Sequence, residues 1–218
     1  MDSSTKVSTG RVRLSALDAL VLLRNAVDDE VVEYDPRTFI TTAKGSKISR
    51  YTVLIGHSQI VLQRNVVLHP EVIIRADLAK VTIGRYVHVA RGALLRPSYS
   101  MRRVNARGEP TVKKLRFSDF TVGDFTTIGE QALVEARTVG EGVYIGKKAI
   151  IGRGSVLKDF CWICDGAVLP PLSMVPNFAI MAGCPAVVVG ELPEATSEFA
   201  VERCKRLYEA FRSKASAP

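Results

Sequence analysis

The side chains of this sequence that could do chemistry are, first, its three histidines, His57, His69 and His88. An acyltransferase uses a histidine as a general base, and such a base needs a partner that orients its ring. His57 and His69 stand twelve residues apart, and the spacing places no acidic residue against any of the rings. The sequence therefore predicts that each histidine is a satisfied surface residue, and it predicts no catalytic residue.

A second candidate is the CxxC sequence that begins at Cys161 and ends at Cys164. Two such pairs at ligand spacing would make a zinc site, but the two remaining cysteines, Cys184 and Cys204, form no second pair. Four cysteines in a chain of 218 residues do not form a typical disulfide framework. We therefore expect free thiols in a reducing compartment, and we expect the CxxC cysteines to pack in the core.

A zinc site of another kind is indicated by a local resemblance. The segment from Arg75 to Gly84 resembles the opening of the gamma-class carbonic anhydrases, which bind one zinc ion with three histidines. The resemblance places the ligand positions at Arg96 and near Glu130 and Glu135. A guanidinium cannot bind zinc, and no histidine follows His88. We therefore expect no metal and no other cofactor, and we expect Arg75 and Asp77 to form a structural ion pair.

The elements that would position these side chains follow a six-residue repeat between Val122 and Val187. With one slip of a single residue, an aliphatic side chain recurs in every hexad, at Val122, Ile128, Val134, Val139, Ile145, Ile151, Leu157, Ile163, Leu169, Val175 and Met181. A small residue stands two positions before most of them, and a glycine or an acidic residue often follows. Neither helical spacing nor simple alternation produces this pattern, but a chain that turns a corner after every short strand does.

The repeat predicts an all-β solenoid in which three hexads complete one coil. Within each strand the aliphatic and small residues point to the same side, so they line the core. Each fully buried aliphatic side chain contributes about 1.5–3 kcal/mol. The pattern resembles the hexapeptide-repeat proteins, and this resemblance implies a left-handed parallel β-helix. The repeat is degenerate in the first coils, with aliphatic positions assigned to Ile48, Ile55, Val61, Val67 and Ile73.

The domain organisation follows from where the repeat begins, pauses and ends. We expect residues 1–35 to form an N-terminal extension, partly disordered, with an amphipathic helix from Ser15 to about Val32. Residues 36–192 form the β-helix, and the repeat pauses at 97–120, where we expect an extended loop outside the coil. Residues 193–218 form a C-terminal helix and tail, with Thr196 as the expected N-cap.

The net charge of +8 is concentrated in the 97–120 loop, where six basic residues face two acidic ones. The basic residues of the loop are Arg102, Arg103, Arg107, Lys113, Lys114 and Arg116. The chain lacks any nucleic-acid-binding module, so we expect this loop to contact an acidic protein surface and not nucleic acid. No apolar run reaches the roughly 18 residues of a membrane span, and the acidic residues of the N-terminus argue against a mitochondrial transit peptide.

The residues just before each aliphatic position point outward, and many of them are apolar. Stacked eighteen residues apart, they form one group on each of three faces: Leu133, Ile150 and Val168; Val156 and Met174; Tyr144, Trp162 and Ile180. Contiguous apolar surface usually marks an interface, although β-branched residues also serve strand formation and one face can be covered by a helix. We therefore predict a partner interface at Tyr144, Trp162, Ile180, Leu133, Ile150 and Val168.

The sequence from Tyr34 to Phe211 also resembles the dynactin subunit 5 family, most specifically in "RADLAKVTIGR", "VLKDFC" and "GCPAVVVGELPE". The resemblance implies a non-catalytic β-helix subunit of the dynactin pointed-end complex, in the cytoplasm and associated with the cytoskeleton. The partners it implies are a second β-helix protein of the dynactin subunit 6 type, the actin-related protein at the filament pointed end, a zinc-binding-type dynactin subunit and cargo adaptors. It further implies that the subunit helps dynein-dynactin engage cargo.

Two alternatives remain open from the sequence. One is a catalyst, either a divergent gamma-carbonic-anhydrase-like enzyme or an acyl-transferring homotrimer. The other is a homotrimeric scaffold without chemistry.

Overall fold

Short strands wind into six successive coils, which a computed structural model describes for residues 35, 37–104 and 112–211. The predicted N-terminal helix, Arg107 and the last seven residues lie outside the described residues. In chain order the strands are β1 (Phe39–Thr41), β2 (Lys47–Ser49), β3 (Val53–Ile55), β4 (Ile60–Leu62), β5 (Val67–Leu68), β6 (Ile73–Arg75), β7 (Val81–Ile83), β8 (His88–Val89), β9 (Leu94–Leu95), β10 (Tyr99–Val104), β11 (Val112–Phe117), β12 (Phe120–Val122), β13 (Thr127–Ile128), β14 (Leu133–Val134), β15 (Thr138–Val139), β16 (Tyr144–Ile145), β17 (Ile150–Ile151), β18 (Val156–Leu157), β19 (Trp162–Ile163), β20 (Val168–Leu169), β21 (Met174–Val175), β22 (Ala179–Gly183) and β23 (Ala186–Glu191). The helix α1 follows at Thr196–Ala210.

The strands form three sheets that run along the coil axis. Sheet A has the order β1-β2-β5-β8-β13-β16-β19-β22-β23, sheet B the order β3-β6-β9-β14-β17-β20, and sheet C the order β4-β7-β12-β15-β18-β21. Within these three sheets the pairs between coils are parallel, and the terminal pairs β1-β2 and β22-β23 of sheet A are antiparallel. The structure is thus the predicted parallel β-solenoid with a C-terminal helix, while the left hand of the coil stays a prediction from the resemblance.

The core is the predicted stack of aliphatic and small residues. From Val122 onward the assigned aliphatic positions are buried, and small residues such as Ala132 and Ala167 are buried beside them. In the early coils Ile48 packs against the core as predicted. The next assignments are wrong by one residue, because Leu54, Leu68 and Ile74 line the core where Ile55, Val67 and Ile73 were expected. A slip of one residue exchanges the two faces of a strand. With the corrected register, valines occupy the small positions of these coils and the repeat is less degenerate than predicted.

The insertion at 97–120 is a two-stranded antiparallel hairpin, which corrects the prediction of an extended loop. Strands β10 and β11 pair with each other, so their backbone hydrogen bonds are satisfied without the coil. The guanidinium of Arg153 lies over the Tyr99 ring, 4.8 Å from its centroid, and this contact joins the base of the hairpin to the fifth coil.

A glycine at the coil corners is required by the approach of the next coil. A Cβ atom at Gly123 would lie 2.5 Å from the backbone carbonyl of Gly140, although the φ angle of Gly123 is not in the left-handed region. At Gly166 the situation is reversed, since φ is +64° and an added Cβ would meet no atom within 4 Å. Crowding therefore selects glycine at the first position and backbone conformation selects it at the second.

We predict that Gly123→Ala lowers the free energy of unfolding by about 2–3 kcal/mol, because neither backbone segment can move aside without disturbing the parallel ladders. The matched variant Gly166→Ala should cost only about 1 kcal/mol, the usual cost of a left-handed non-glycine residue. Urea unfolding followed by circular dichroism measures both. A Gly123→Ala protein as stable as the Gly166→Ala protein would contradict the crowding argument.

Candidate functional site

The helix α1 covers the outer surface of sheet A. Three outward side chains of this sheet, Tyr144, Trp162 and Ile180, are only 5%, 5% and 1% exposed. The Tyr144 and Trp162 rings stack with their centroids 3.9 Å apart, and the guanidinium of Arg203 lies over both rings. The structure thus corrects the predicted partner interface for Tyr144, Trp162 and Ile180, because these side chains are covered by the chain itself. Arg203 of α1 lies over the two rings, and Ile180 packs in one cluster with Leu192, which precedes the helix.

Arg203 is an unusual residue for such a position, since its side chain is charged and only 4% exposed. Its Nε and Nη2 atoms have no hydrogen-bond partner among the described residues. Burying a charged group without hydrogen bonds is unfavourable. The two aromatic rings offset part of this free-energy cost, because a guanidinium is attracted to the negative face of an aromatic ring. Arg203 therefore joins the middle of α1 to the fifth and sixth coils.

The carboxyl end of α1 is attached to the first coil. The buried ammonium of Lys47 donates to the Phe211 carbonyl, and the Tyr208 hydroxyl donates to the Gly45 carbonyl at 2.7 Å. The Phe39 and Phe211 rings meet edge to face at 4.8 Å. The helix thus runs along the whole length of the β-helix, from the last coils to the first. It begins at Thr196, whose buried hydroxyl caps nothing, so the predicted N-cap at Thr196 is wrong.

Sheet B carries an apolar outward column that no described element covers, and we call it the sheet B stripe. It has one residue in each coil, in register across five ladder pairs: Val53, Ile73, Leu94, Leu133, Ile150 and Val168. Val53 and Ile150 are 47% and 41% exposed, and the other four are half-buried. The predicted trio of Leu133, Ile150 and Val168 is one half of this longer surface.

The outward column of sheet C is less continuous. Its six members in register are Val61, Thr82, Thr121, Thr138, Val156 and Met174. The three threonines separate the apolar residues at the two ends. Sheet C therefore lacks the unbroken apolar surface that distinguishes sheet B.

Two ion pairs lie beside the sheet B stripe, at positions where a metal site was considered. Arg96 pairs with Glu135, and Arg75 pairs with Asp77 at 2.8 Å, as predicted for the second pair. The hydrogen bond from Arg75 holds the pKa of Asp77 below its ordinary value. Among the described residues no group of three or more histidine, cysteine, aspartate or glutamate side chains is arranged to bind a metal ion.

The structure brings His69 and His88 together, which the sequence reasoning missed. Their Nε2 atoms lie 2.7 Å apart, so one ring donates a hydrogen bond to the other. His69 is only 4% exposed, and both Nδ1 atoms are buried without a partner among the described residues. The prediction of surface histidines is therefore wrong for this pair, while His57 is exposed. The available signal was their separation of nineteen residues, which is about one coil.

The environment of the pair keeps both rings neutral. Burial lowers the pKa of His69 to about 4. Burial, with the nearby His69 and Arg203, lowers the pKa of His88 well below its ordinary value. The rings border a groove of about 590 Å³ between sheet A and the end of α1. Because no described carboxylate hydrogen-bonds either Nδ1 atom, the pair lacks the orienting acid of a general base.

The CxxC cysteines are also chemically quiet. Cys161 is 1% exposed, and burial raises the pKa of its thiol to about 12. Burial likewise raises the pKa of the half-buried Cys164 thiol. Both thiols are free, as are Cys184 and Cys204. Thiolate is the reactive form of cysteine, so the described geometry fits the predicted packing role of Cys161.

The basic residues of the 97–120 region are arranged on the hairpin strands. In the backbone register Arg102 stands opposite Lys114, and Arg103 stands opposite Lys113. Arg116 is exposed on the same strand as the two lysines. The backbone register therefore brings basic positions of the two strands together.

Comparison with known proteins identifies the relatives of the chain. The family model of dynactin subunit 5 matches residues 29–216. Dynactin subunit 5 of Dictyostelium discoideum is 33% identical over 178 residues, which cover 82% of this chain and 85% of that protein. A hexapeptide transferase family protein from Anaplasma phagocytophilum superposes with a TM-score of 0.57 at 16% identity, covering 77% of this chain and 93% of that one. This second likeness shows the fold alone.

Within the described residues, α1 falls short of the length and hydropathy of a membrane-crossing helix.

We predict that the histidine pair makes stability fall as pH falls from about 6.5 towards 4. In the unfolded chain His69 binds a proton near its ordinary pKa of 6.5, whereas in the folded chain its pKa is about 4. Between these values the unfolded state binds more protons, so acid favours unfolding. His69 alone should cause a loss on the order of 2 kcal/mol between pH 7 and pH 5, and His88, whose pKa is also lowered, should add to it.

Urea unfolding at the two pH values, followed by the fluorescence of Trp162, measures this loss. Trp162 is the one tryptophan of the chain and lies beneath α1. The double variant His69→Gln/His88→Gln should lose most of the pH dependence, and the exposed control His57→Gln should keep it. An unchanged slope in the double variant would show that other groups carry the effect.

Proposed function

The chain belongs to the dynactin subunit 5 family, and on this premise we propose that it is a non-catalytic subunit of the dynactin pointed-end complex. It pairs side by side with the second β-helix subunit, of the dynactin subunit 6 type, and helps dynein-dynactin engage cargo adaptors. This role places it in the cytoplasm, associated with the cytoskeleton. Its contribution is a rigid prism with one apolar face and a basic hairpin.

The observation that carries this proposal is the sheet B stripe. Six apolar residues in register span five ladder spacings, or about 24 Å at about 4.8 Å each. A second β-helix repeats its side chains at the same spacing, so the two columns can interlock along their whole length. A partner of a different architecture would match such a column at only a few points.

The surroundings of the stripe resemble the rim of a protein interface. Arg96 and Arg75 are already paired within the chain, with Glu135 and Asp77. A partner that covers the stripe therefore leaves these charges paired at the edge, where they remain partly exposed. An apolar centre with a satisfied polar rim is the usual anatomy of a stable interface.

The state of the titratable groups supports the non-catalytic part of the proposal. His69 and His88 are neutral and lack an orienting acid, and Cys161 is a buried neutral thiol. Arg96, where the carbonic anhydrase resemblance places a zinc ligand, is held by Glu135. The groups that the fold could use for acyl transfer or hydration are thus engaged in packing.

The basic hairpin supports contact with an acidic partner. Its basic residues stand on two paired strands, so an acidic surface can meet several positive charges together. Within the proposed complex, the candidates for this contact are the actin-related protein at the pointed end, the zinc-binding-type subunit and cargo adaptors.

We predict that Ile150→Glu weakens association with the dynactin subunit 6 type partner of the same cell by about 30-fold or more, because a carboxylate would be buried at the centre of the stripe (~2 kcal/mol). The matched control is Thr121→Glu, an outward strand position on sheet C. Titration calorimetry with the purified partner measures both affinities. If the two variants bind the partner with equal affinity, the sheet B stripe is not part of the pairing surface.

Native mass spectrometry of the purified chain separates this proposal from the enzyme alternative. We expect no homotrimer and no retention of acyl-CoA or zinc, and a one-to-one assembly when the second β-helix subunit is added. A stable homotrimer that retains acyl-CoA or zinc would favour the catalyst, and a ligand-free homotrimer would favour the scaffold.

We predict that Arg103→Glu/Lys113→Glu weakens binding of the hairpin's partner about tenfold at low salt, and that the difference shrinks as salt screens the charges. The control Lys158→Glu/Lys205→Glu makes the same change of charge at exposed positions outside the hairpin. Sedimentation or surface-binding assays with the reconstituted pointed-end subunits at two salt concentrations measure the effect. If both variants weaken binding equally, the effect comes from the net charge of the protein and not from the hairpin.

A further inference from the structure

The two ends of the β-helix are closed to different degrees. At the carboxyl end β22 turns back into β23, which lies against β20, and the last core residues Ile163, Leu169 and Val175 are at most 1% exposed. This end of the core is sealed by the described chain itself.

The amino-terminal end is open. The core residues of the first coil are only partly buried: Ile48, Leu54, Ile60 and Leu62. Strand β1 extends sheet A alone, so β3 and β4 are edge strands among the described residues. Ile40 of β1 stands opposite Ile48 and is 46% exposed. An open solenoid end exposes apolar core and unpaired strand edges, and such ends are usually capped.

The described part of the chain starts at this open end, so the residues before it join the structure there. Asp35 stands four residues before the start of β1, and its carbonyl accepts hydrogen bonds from the Thr38 and Phe39 amides. Upstream, apolar residues recur at helical spacing between Ser15 and Val32, at Leu17, Leu20, Val21, Val27 and Val31. Eighteen residues in a helix would span about 27 Å, whereas one side of a coil, six residues long, spans about 20 Å. The stretch is thus long enough to cross the end.

The distribution of charged residues also favours contact between the upstream stretch and the first coil. Residues 37–70 contain five basic residues and no acidic one. Arg37, Lys44, Arg50 and Arg64, around the first coil, are exposed. Residues 15–35 contain six acidic residues and one basic residue, which is Arg24. The upstream stretch therefore complements the first coil in charge as well as in apolar character.

We propose that the stretch from Ser15 to Val32 lies across the amino-terminal end of the β-helix and covers the first coil of its core. The family match begins at residue 29, so residues 15–28, most of this stretch, lie outside it. The proposal is independent of the pairing through sheet B, which lies along the side of the prism.

The direct test is photo-cross-linking from within the open end. The full-length chain carries benzoylphenylalanine at Leu54, and equal amounts of unlabelled and nitrogen-15-labelled protein are mixed at low concentration before irradiation. We expect cross-linked peptides that join residue 54 to residues 15–32 with both halves carrying the same label. Mixed-label products would assign the end to a second copy, and a chain that cross-links to no residue of 15–32 would equally overturn the proposal.

A second test compares two charge-matched variants of the full chain. Leu20→Asp/Val27→Asp places charges on the apolar stripe of the extension, and Asn25→Asp/Ala26→Asp places them off it. Hydrogen exchange of the β3 and β4 amides should be about tenfold faster in the first variant than in the second, with β20 unchanged in both. Equal exchange at β3 and β4 in the two variants would contradict the proposal. Trp162 fluorescence confirms that both proteins remain folded.

Discussion

The parallel stacking of one coil directly on the next is the constraint on which the rest of the structure depends. Corner glycines such as Gly123 let adjacent backbones approach closely enough for every strand to pair with the strand one coil away. Because the coils stack in register, each outward position is repeated along the axis. Apolar side chains at one such position therefore form an apolar face. The sheet B stripe is the result of that repetition, since isolated apolar residues of six coils become one continuous surface.

The helix α1 decides which of these faces remain open. It covers Tyr144 and Trp162 of sheet A with Arg203, so these two side chains are closed to other proteins, and it joins the last coils to the first. Threonines interrupt the column on sheet C, so among the three sheets of the described chain only sheet B has an outward column that is apolar in every coil. A solenoid with one face closed by its own helix and one face left apolar can be held between neighbours in a single orientation, which suits a subunit of a larger assembly.

The sequence was sufficient to predict the core from Val139 to Val175, because each coil there has eighteen residues. An aliphatic residue therefore recurs at every core position of the six-residue repeat. The sequence was insufficient in the first coils, where longer corners shift the strands and Leu68 replaces Val67 in the core. Irregular coil length also hid the contact between His69 and His88. The position of α1 could not be predicted, because all three faces offered apolar residues and only tertiary packing distinguishes them. The Arg75 ion pair was predictable, since its partner stands two residues away.

Hydroxyl-radical footprinting of the chain alone and in the intact complex purified from its own cells tests the central claim most directly. It reports the solvent exposure of individual side chains without altering any of them. The account predicts that Leu133, Ile150 and Val168 are labelled in the free chain and protected in the complex, while Trp162 is protected in both. Unchanged labelling of the three stripe residues in the complex, together with Trp162 labelled in the free chain, would contradict it.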